Sequence, residues 1–239
     1  MITIRKPESI YKAHGEIVNG TFAGRWHFSF DQYFDPKFER FGCLRVCNDD
    51  TLSPGAVWPL HPHRYNEVVT YVAAGEFRHE DERGLGGILK KGWVQHTTVG
   101  TGMWHSEINN KPDAPMRFIQ LWFLPDRPDH EPAVEQKKVE KTDRTDKFLP
   151  LVSNSDAGAL RIKSDAAVYS LFLTDGKHVS KTLDPKRGYY LYILEGAPLA
   201  VNGIDAPVLS AAMITKESKL TLKAAGDTEI LLLDVGPLK

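Results

Sequence analysis

Two short clusters of metal-ligand side chains stand out in this sequence: His61-Pro-His63 and His105-Ser-Glu107. Residues two apart in a strand point to the same face, so each cluster presents two side chains together. If the two segments pair as strands, three imidazoles and one carboxylate meet at one point. That donor set suits a first-row divalent metal, and it leaves coordination positions open for water, dioxygen or substrate.

Spacing alone does not decide which carboxylate completes this set. Glu67 has the same parity as His61 and His63, so it remains an alternative to Glu107. Pro62 cannot donate to a ladder, which predicts that this strand lies at an edge. The isolated histidines His79 and His96 are interpreted as structural or as hydrogen-bonding supports.

The elements that must position these clusters are predicted to be strands. Runs rich in β-branched and aromatic residues, bounded by Gly, Pro, Asn and Asp, are typical of strands in a sandwich or barrel. Such runs occupy residues 67–73, 118–124, 189–194, 219–223 and 229–235, whereas 165–171 is ambiguous between helix and strand. The sequence therefore predicts an all-β fold with few short helices.

The chain also shows a weak internal repeat. Tyr71 to Gly75 and Tyr192 to Gly196 begin similar strand–glycine-turn–strand successions, at an offset close to half of the 239 residues. A duplicated β-barrel is the economical interpretation. We predict an N-terminal barrel over residues 1–124, an ordered, proline-containing crossover over 125–150, and a C-terminal barrel over 151–239.

Composition limits the function classes. Thirty Lys and Arg residues against 31 Asp and Glu residues give a net charge of −1, which argues against the basic surface of a nucleic-acid-binding protein. The sequence contains no apolar run of about 18 residues, so no membrane span is expected. The first residues contain no apolar core of a signal peptide. Cys43 and Cys47 are predicted to be reduced thiols of a cytoplasmic protein, with a Cys-x3-Cys metal site as the alternative.

The motifs around the clusters resemble those of a known family. Gly55-x5-His61-x-His63-x3-Glu67 resembles the first cupin motif, and Gly92-x5-Thr98 followed by Gly102-Met-Trp-His105 resembles a variant second motif. Together with segments 4–6, 26–30, 33–36, 41–46, 48–50, 69–72, 201–203 and 231–234, they make the whole chain similar to the pirin family of bicupins. That family includes bacterial members with quercetinase activity.

The resemblance implies two tandem cupin (jelly-roll) barrels packed together and a ligand set in the first barrel. The implied metal ligands are His61, His63, His105 and Glu107, while Glu67 is not a ligand in that family. One divalent ion is expected, with iron favoured and nickel, copper, cobalt, manganese or zinc as alternatives. The second half contains a single histidine, so it is predicted to hold no metal.

The implied activity is that of quercetin 2,3-dioxygenase, which opens a flavonol ring with O2 and releases CO. Glu107 is the candidate catalytic base, and Trp58, Phe77 and Trp104 are candidate walls of an aromatic pocket. Tyr65-Asn66 and His96-Thr97 depart from the common pirin pattern, which leaves the substrate preference open. The alternatives are a metal-sensing regulatory module that binds a protein partner, and a cupin enzyme with another small-molecule substrate. We expect a monomer with a small aromatic substrate and no nucleic-acid or membrane partner.

Overall fold

The computed structural model describes residues 1–238 and is built almost entirely of strands. In chain order the first eleven are β1 (Ile2–Arg5), β2 (Tyr11–Ile17), β3 (Gly20–Trp26), β4 (Leu44–Leu52), β5 (Val57–His63), β6 (Glu67–Ala74), β7 (Glu76–Asp81), β8 (Gly86–Lys90), β9 (Val94–Thr98), β10 (Met103–Asn109) and β11 (Met116–Phe123). The remaining strands are β12 (Ala133–Lys137), β13 (Leu149–Ser153), β14 (Leu160–Arg161), β15 (Ala167–Leu173), β16 (His178–Thr182), β17 (Arg187–Gly196), β18 (Leu199–Val201), β19 (Ile204–Ala206), β20 (Ala211–Thr215), β21 (Lys219–Ala224) and β22 (Thr228–Pro237). Short 3-10 helices span Pro7–Ser9, Pro36–Phe38 and Lys141–Arg144. The predicted all-β class with few short helices is confirmed, and the ambiguous segment 165–171 is largely strand β15.

Contacts divide the chain into two compact units. The first unit comprises Tyr11–Val139 with Leu160–Ser164, and the second comprises Met1–Ile10, Glu140–Ala159 and the chain from Asp165 onward. Compared with the predicted ranges 1–124, 125–150 and 151–239, residues 1–10 fall in the second unit, residues 160–164 fall in the first, and the predicted crossover is divided after Val139. Residues 1–10 belong to the second unit because β1 pairs antiparallel with β20.

Each unit contains one large and one small antiparallel sheet. In the first unit the large sheet runs β12-β9-β6-β11-β4-β3-β2, and the small sheet runs β5-β10-β7-β8. In the second unit the large sheet includes the order β1-β20-β17-β22-β15-β13, and the small sheet runs β16-β21-β18-β19. The two units therefore repeat one jelly-roll topology, which confirms the predicted duplication of a cupin barrel. Within residues 1–238, no helix is long and apolar enough to cross a bilayer.

The interiors of the two units are filled differently. In the second unit, aliphatic side chains such as Leu191, Leu220 and Leu222 are fully buried in one cluster, so its barrel is a packed core. In the first unit the comparable cluster around Phe77, Phe118 and Leu89 fills only part of the interior. The rest of that interior is lined by polar and aromatic side chains, and it is the place where a site can form.

The glycines that end the two repeat segments explain part of the repeat. Gly75 and Gly196 both have positive φ, at 76° and 102°. A Cβ at Gly75 would lie 2.7 Å from the carbonyl oxygen of Pro115, and a Cβ at Gly196 would collide with the carbonyl oxygen of Asp227. Only glycine fits both the left-handed conformation and the close approach of the neighbouring backbone.

We expect Gly75→Ala and Gly196→Ala to lower the free energy of unfolding by several kcal/mol, since strain of about 1–2 kcal/mol is joined by a backbone overlap. Gly55→Ala is the matched control, because Gly55 has φ of 67° with no atom near its missing Cβ. Chemical denaturation of the three variants measures the difference. If Gly55→Ala and Gly75→Ala lowered the free energy of unfolding equally, the overlap of the added Cβ with the neighbouring backbone would not be the cause.

Candidate metal centre

The two histidine clusters lie on neighbouring strands. β5 is the edge strand of the small sheet of the first unit, which accommodates Pro62, and it pairs antiparallel with β10. His105 stands opposite His61, and Met103 stands opposite His63. A register shift between His105 and Glu107 places Glu107 opposite Trp58. Strand pairing therefore brings together residues that are more than 40 positions apart in the chain.

The three histidines converge on one point. The Nε2 atoms of His61 and His105 are 3.1 Å apart, and one ring nitrogen from each of His61, His63 and His105 lies within 4.8 Å of the others. Two nitrogens bound to one ion at about 2.1 Å and at a right angle would be about 3.0 Å apart. The observed separation between the two Nε2 atoms fits that arrangement, so these residues could hold a divalent metal.

Hydrogen bonds on the far side of two rings fix which nitrogen faces the cluster. The Nδ1 atom of His61 lies 2.8 Å from the Pro59 carbonyl oxygen, which can only accept, so Nδ1 carries the proton. The Nδ1 atom of His105 lies 2.8 Å from Nε2 of His79. The lone pair of His61 Nε2 is therefore left for a metal, and that of His105 Nε2 is left in the tautomer in which Nδ1 donates to His79, as is usual for ligating histidines. His63 packs edge-on against Trp122, with ring centroids 4.6 Å apart.

The surroundings keep these imidazoles neutral. Burial lowers the pKa of His63 to about 4, with a further contribution from the charge of His61. Burial and three neighbouring histidines lower the pKa of His105 to about 2. A neutral imidazole is the form that binds a metal, so protons do not compete for the cluster at neutral pH.

Glu107 lies in the same cavity but outside the histidine triad. Its Oε1 accepts a 2.5 Å hydrogen bond from Nε2 of Gln120, whose own Oε1 accepts one of 2.8 Å from the Trp122 indole. Burial raises the pKa of Glu107 to about 7, although the Gln120 bond opposes the shift. The structure thus brings His61, His63 and His105 together, while the assignment of Glu107 as fourth ligand stays a prediction.

A cavity of about 390 Å³ opens from the cluster into the barrel of the first unit. Its lining includes His61, His63 and Glu107, and its walls carry the aromatic side chains of Phe22, Trp26, Phe30, Trp58, Phe118 and Trp122. Of the predicted wall residues, Trp58 lies in this lining. Phe77 instead belongs to the buried core, and Trp104 is 45% exposed beside an outer cleft that shares His63 with this cavity.

Glu67 does not join the cluster and has a structural role. Its Oε2 accepts hydrogen bonds from His96 Nε2 (2.8 Å), Thr98 Oγ1 (3.2 Å) and the backbone N–H of Lys163 (3.0 Å). Burial opposes charge on His96, but Glu135 and Glu67 outweigh it and raise the pKa of His96. Glu67, the alternative metal ligand in the sequence analysis, therefore forms a buried ion pair with His96 that joins β6 to β9.

Sequence reasoning left His79 as a structural or hydrogen-bonding residue without naming His105 as its partner, and it missed Gln120. Phe77, His79 and Asp81 alternate as the buried positions of β7, and that parity is the signal for an inward-facing His79. Gln120 is a polar residue in the apolar run of β11, where a buried amide needs hydrogen-bond partners. Both patterns can be seen in the sequence, but neither shows which residue His79 or Gln120 binds.

Two sandwiches of this topology with a histidine cluster in the first define a bicupin with a candidate divalent-metal centre. The family model described as Pirin matches residues 10–123, and the model described as Quercetinase C-terminal cupin domain matches residues 151–235. With the full-length relatives below, these matches show that the chain belongs to the pirin family.

Three similar proteins illustrate the relationship. A Pseudomonas aeruginosa protein provisionally named a quercetin 2,3-dioxygenase is 37% identical over 223 residues, covering 92% of this chain and 95% of its own. The Escherichia coli K12 protein named quercetin 2,3-dioxygenase is 30% identical, with 100% of both chains covered. The crystal structure of the bacterial pirin YhhW from Escherichia coli in complex with nickel(II) has a TM-score of 0.90 at 27% identity and covers 100% of both chains.

We expect His79→Phe to weaken metal binding about 10- to 100-fold, because His105 loses the partner that orients its ring. The dissociation constant is measured by competition with a chromophoric chelator. His14→Gln, on the exposed side of β2, is the control and should bind the metal as the wild type does. Unchanged affinity in His79→Phe would contradict an orienting role for His79.

The pair of Glu67 with His96 predicts a pH dependence of stability. The folded-state pKa of His96 is raised above the unfolded value of about 6.5, so the pair stabilises fully below that pH. This contribution is lost as pH rises through the folded pKa. Glu67→Gln should therefore cost roughly 1.5–3 kcal/mol at pH 6 and less at pH 9, measured by urea unfolding. If the free energies of unfolding of the wild type and Glu67→Gln changed in parallel with pH, the charged pair would be excluded.

Proposed function

We propose that this pirin-family protein is a metal-dependent dioxygenase that opens the central ring of a flavonol such as quercetin with O2 and releases CO. The observation that carries the proposal is the convergence of three neutral imidazoles and Glu107 on one aromatic-walled cavity. Its volume of about 390 Å³ is within the range of small-molecule sites. Relatives named quercetin 2,3-dioxygenase support the same activity.

The residues proposed to hold the metal are His61, His63, His105 and Glu107. When bound, a divalent ion would act as a Lewis acid that favours the deprotonated 3-hydroxyl of the flavonol and its reaction with O2. With four protein ligands, the ion would keep coordination positions open for substrate. Iron as the native metal stays a prediction, with nickel, copper, cobalt, manganese or zinc as alternatives.

Glu107 is proposed as the general base. With a pKa of about 7, its carboxylate is present at neutral pH and is still basic enough to take a phenolic proton. The bond from Gln120 engages Oε1, so Oε2 is the atom proposed to accept the proton of the 3-hydroxyl. The Trp122 indole anchors Gln120 in turn, which holds the carboxylate in place.

The aromatic walls are proposed to orient the flavonol and exclude water. Phe22 and Trp58 have ring centroids 5.1 Å apart, and Trp58 meets Phe118 edge-on at 6.2 Å. Such rings offer flat apolar surfaces for a planar substrate. Excluding water would also limit side reactions of the bound, deprotonated flavonol.

Two alternatives from the sequence stay predictions. One is a metal-sensing module that binds a protein partner, and the outer cleft with the exposed Trp104 is the feature that favours it. The other is a cupin enzyme with a different small-molecule substrate. The monomeric state and cytoplasmic location also stay predictions.

The proposal is tested by loading the purified protein separately with iron, nickel, copper, cobalt, manganese or zinc and adding quercetin under air. Loss of flavonol absorbance with release of CO is expected for at least one metal. His63→Ala should lose both metal and turnover, whereas the exposed-site variant His14→Gln should retain both. An occupied site that turns over no quercetin with any of these metals would overturn the proposed activity.

A further inference from the structure

The cavity has a second polar region on the wall opposite the histidines. The histidines and Glu107 project from the small sheet, whereas Asn48 and Asp50 project from β4 of the large sheet. These two residues are two positions apart and therefore share one face of the strand. Both are buried, at 2% and 4% exposure, and both line the cavity.

Strand register sets the distance of this region from the metal cluster. Asn48 stands opposite Gln120, the residue that holds Glu107, whereas Asp50 stands opposite Phe118. Asp50 therefore lies about 6.8 Å further along the sheet than the level of Gln120. The polar pair therefore continues along β4 from the level of Gln120 to that of Phe118, away from Trp122, the residue that packs on His63.

The polar atoms of this pair are not saturated by the protein. Among residues 1–238, the buried Oδ1 of Asn48 has no hydrogen-bond partner. One carboxyl oxygen of Asp50 accepts a 3.1 Å hydrogen bond from the Trp26 indole. An unsatisfied polar atom in an otherwise apolar wall calls for an explanation, and a ligand group is one that also accounts for its position on a cavity.

The sequence leaves space for Asp50 on the neighbouring strand. Gly24 stands directly opposite Asp50, and a Cβ at Gly24 would collide with Asp50 Oδ1 and approach the Trp26 indole nitrogen to 3.1 Å. The absence of a side chain at Gly24 thus permits the bond between Trp26 and Asp50. The orientation of the Asp50 carboxyl is fixed by its surroundings.

The chemistry of the pair complements a hydroxyl group. Burial raises the pKa of Asp50 well above its usual range, and the charges of Asp49 and Glu107 add to the shift, although the Trp26 hydrogen bond opposes it. Asp50 donates a hydrogen bond when it is protonated and accepts one when it is ionised, while Asn48 Oδ1 accepts one. A phenolic hydroxyl, which donates one bond and accepts others, satisfies both.

We infer that Asn48 and Asp50 form a hydroxyl-recognition subsite that selects planar polyphenols carrying a hydroxyl remote from their metal-chelating oxygens. The aromatic walls limit the ligand to a flat ring system, and the polar pair distinguishes hydroxylated rings from bare ones. The inference rests on the proposed function for the chelating end of the substrate. It assigns specificity to residues outside the proposed ligand set.

The test compares two flavonols that share the chelating 3-hydroxyl and 4-carbonyl. Quercetin carries further hydroxyls on its outer rings, and 3-hydroxyflavone carries none. Binding to the metal-loaded protein is measured without oxygen by quenching of tryptophan fluorescence, since Trp26, Trp58 and Trp122 line the cavity. The wild type is expected to bind quercetin at least about tenfold more tightly, because a site built for a hydroxyl disfavours the analogue that lacks it.

Asp50→Leu and Asn48→Leu are each expected to raise the dissociation constant of quercetin about tenfold. The dissociation constant of 3-hydroxyflavone should stay within about twofold of the wild-type value. Asp50→Asn keeps an acceptor for Trp26 and a donor for the ligand, so it should retain most of the preference and guards against a folding defect in Asp50→Leu. Thr51→Val, on the opposite face of β4, is the matched control and should behave as the wild type. Metal content and thermal unfolding of each variant are measured alongside.

The outcomes separate this subsite from the proposed activity. A preference for quercetin that survives in both leucine variants, or a loss that is equal for both ligands, overturns the subsite while turnover in air still supports the dioxygenase. Selective binding that depends on Asp50 and Asn48, without any turnover in air, supports the subsite and overturns the dioxygenase. Absence of flavonol binding by the metal-loaded wild type overturns the subsite directly.

Discussion

The site depends on one pairing, that of β5 with β10. The register that sets His61 opposite His105 turns both rings inward and places their Nε2 atoms 3.1 Å apart. A slip of one residue would move every side chain of a strand to the other face of the sheet. The shift that follows His105 then sets Glu107 opposite Trp58 and gives it a different neighbourhood from the histidines.

Exclusion of water from the barrel shifts the pKa of histidines and carboxylates in opposite directions, and both shifts occur in the cavity. Burial disfavours charge, so it lowers the pKa of His105 and raises that of Glu107. The histidines are thus prepared as neutral donors, and the carboxylate becomes a stronger base. The same physical cause raises the pKa of Asp50 on the opposite wall.

Local sequence patterns predicted the strands and the histidine clusters because both depend on a period of two residues. They also predict that the second barrel holds no metal, because its half of the chain contains a single histidine, and in the structure Leu220 and Leu222 are buried on its small sheet. They could not assign Phe77 to the core rather than to the cavity wall, because both environments are buried and apolar. Nor could they choose between Glu67 and Glu107, since the choice depends on the partners His96 and Gln120, which come from other strands.

The pairing of β1 with β20 has a consequence for the order of events during synthesis. Residues 2–5 leave the ribosome about two hundred residues ahead of their partners at 211–214. At roughly 5–20 residues per second, this strand waits for about 10–40 s without its sheet. The first barrel can close most of its own ladders in that interval, whereas β1 can pair only after β20 has been synthesised. A nascent chain therefore carries an early, unpaired β-strand, which is a natural point of contact for chaperones.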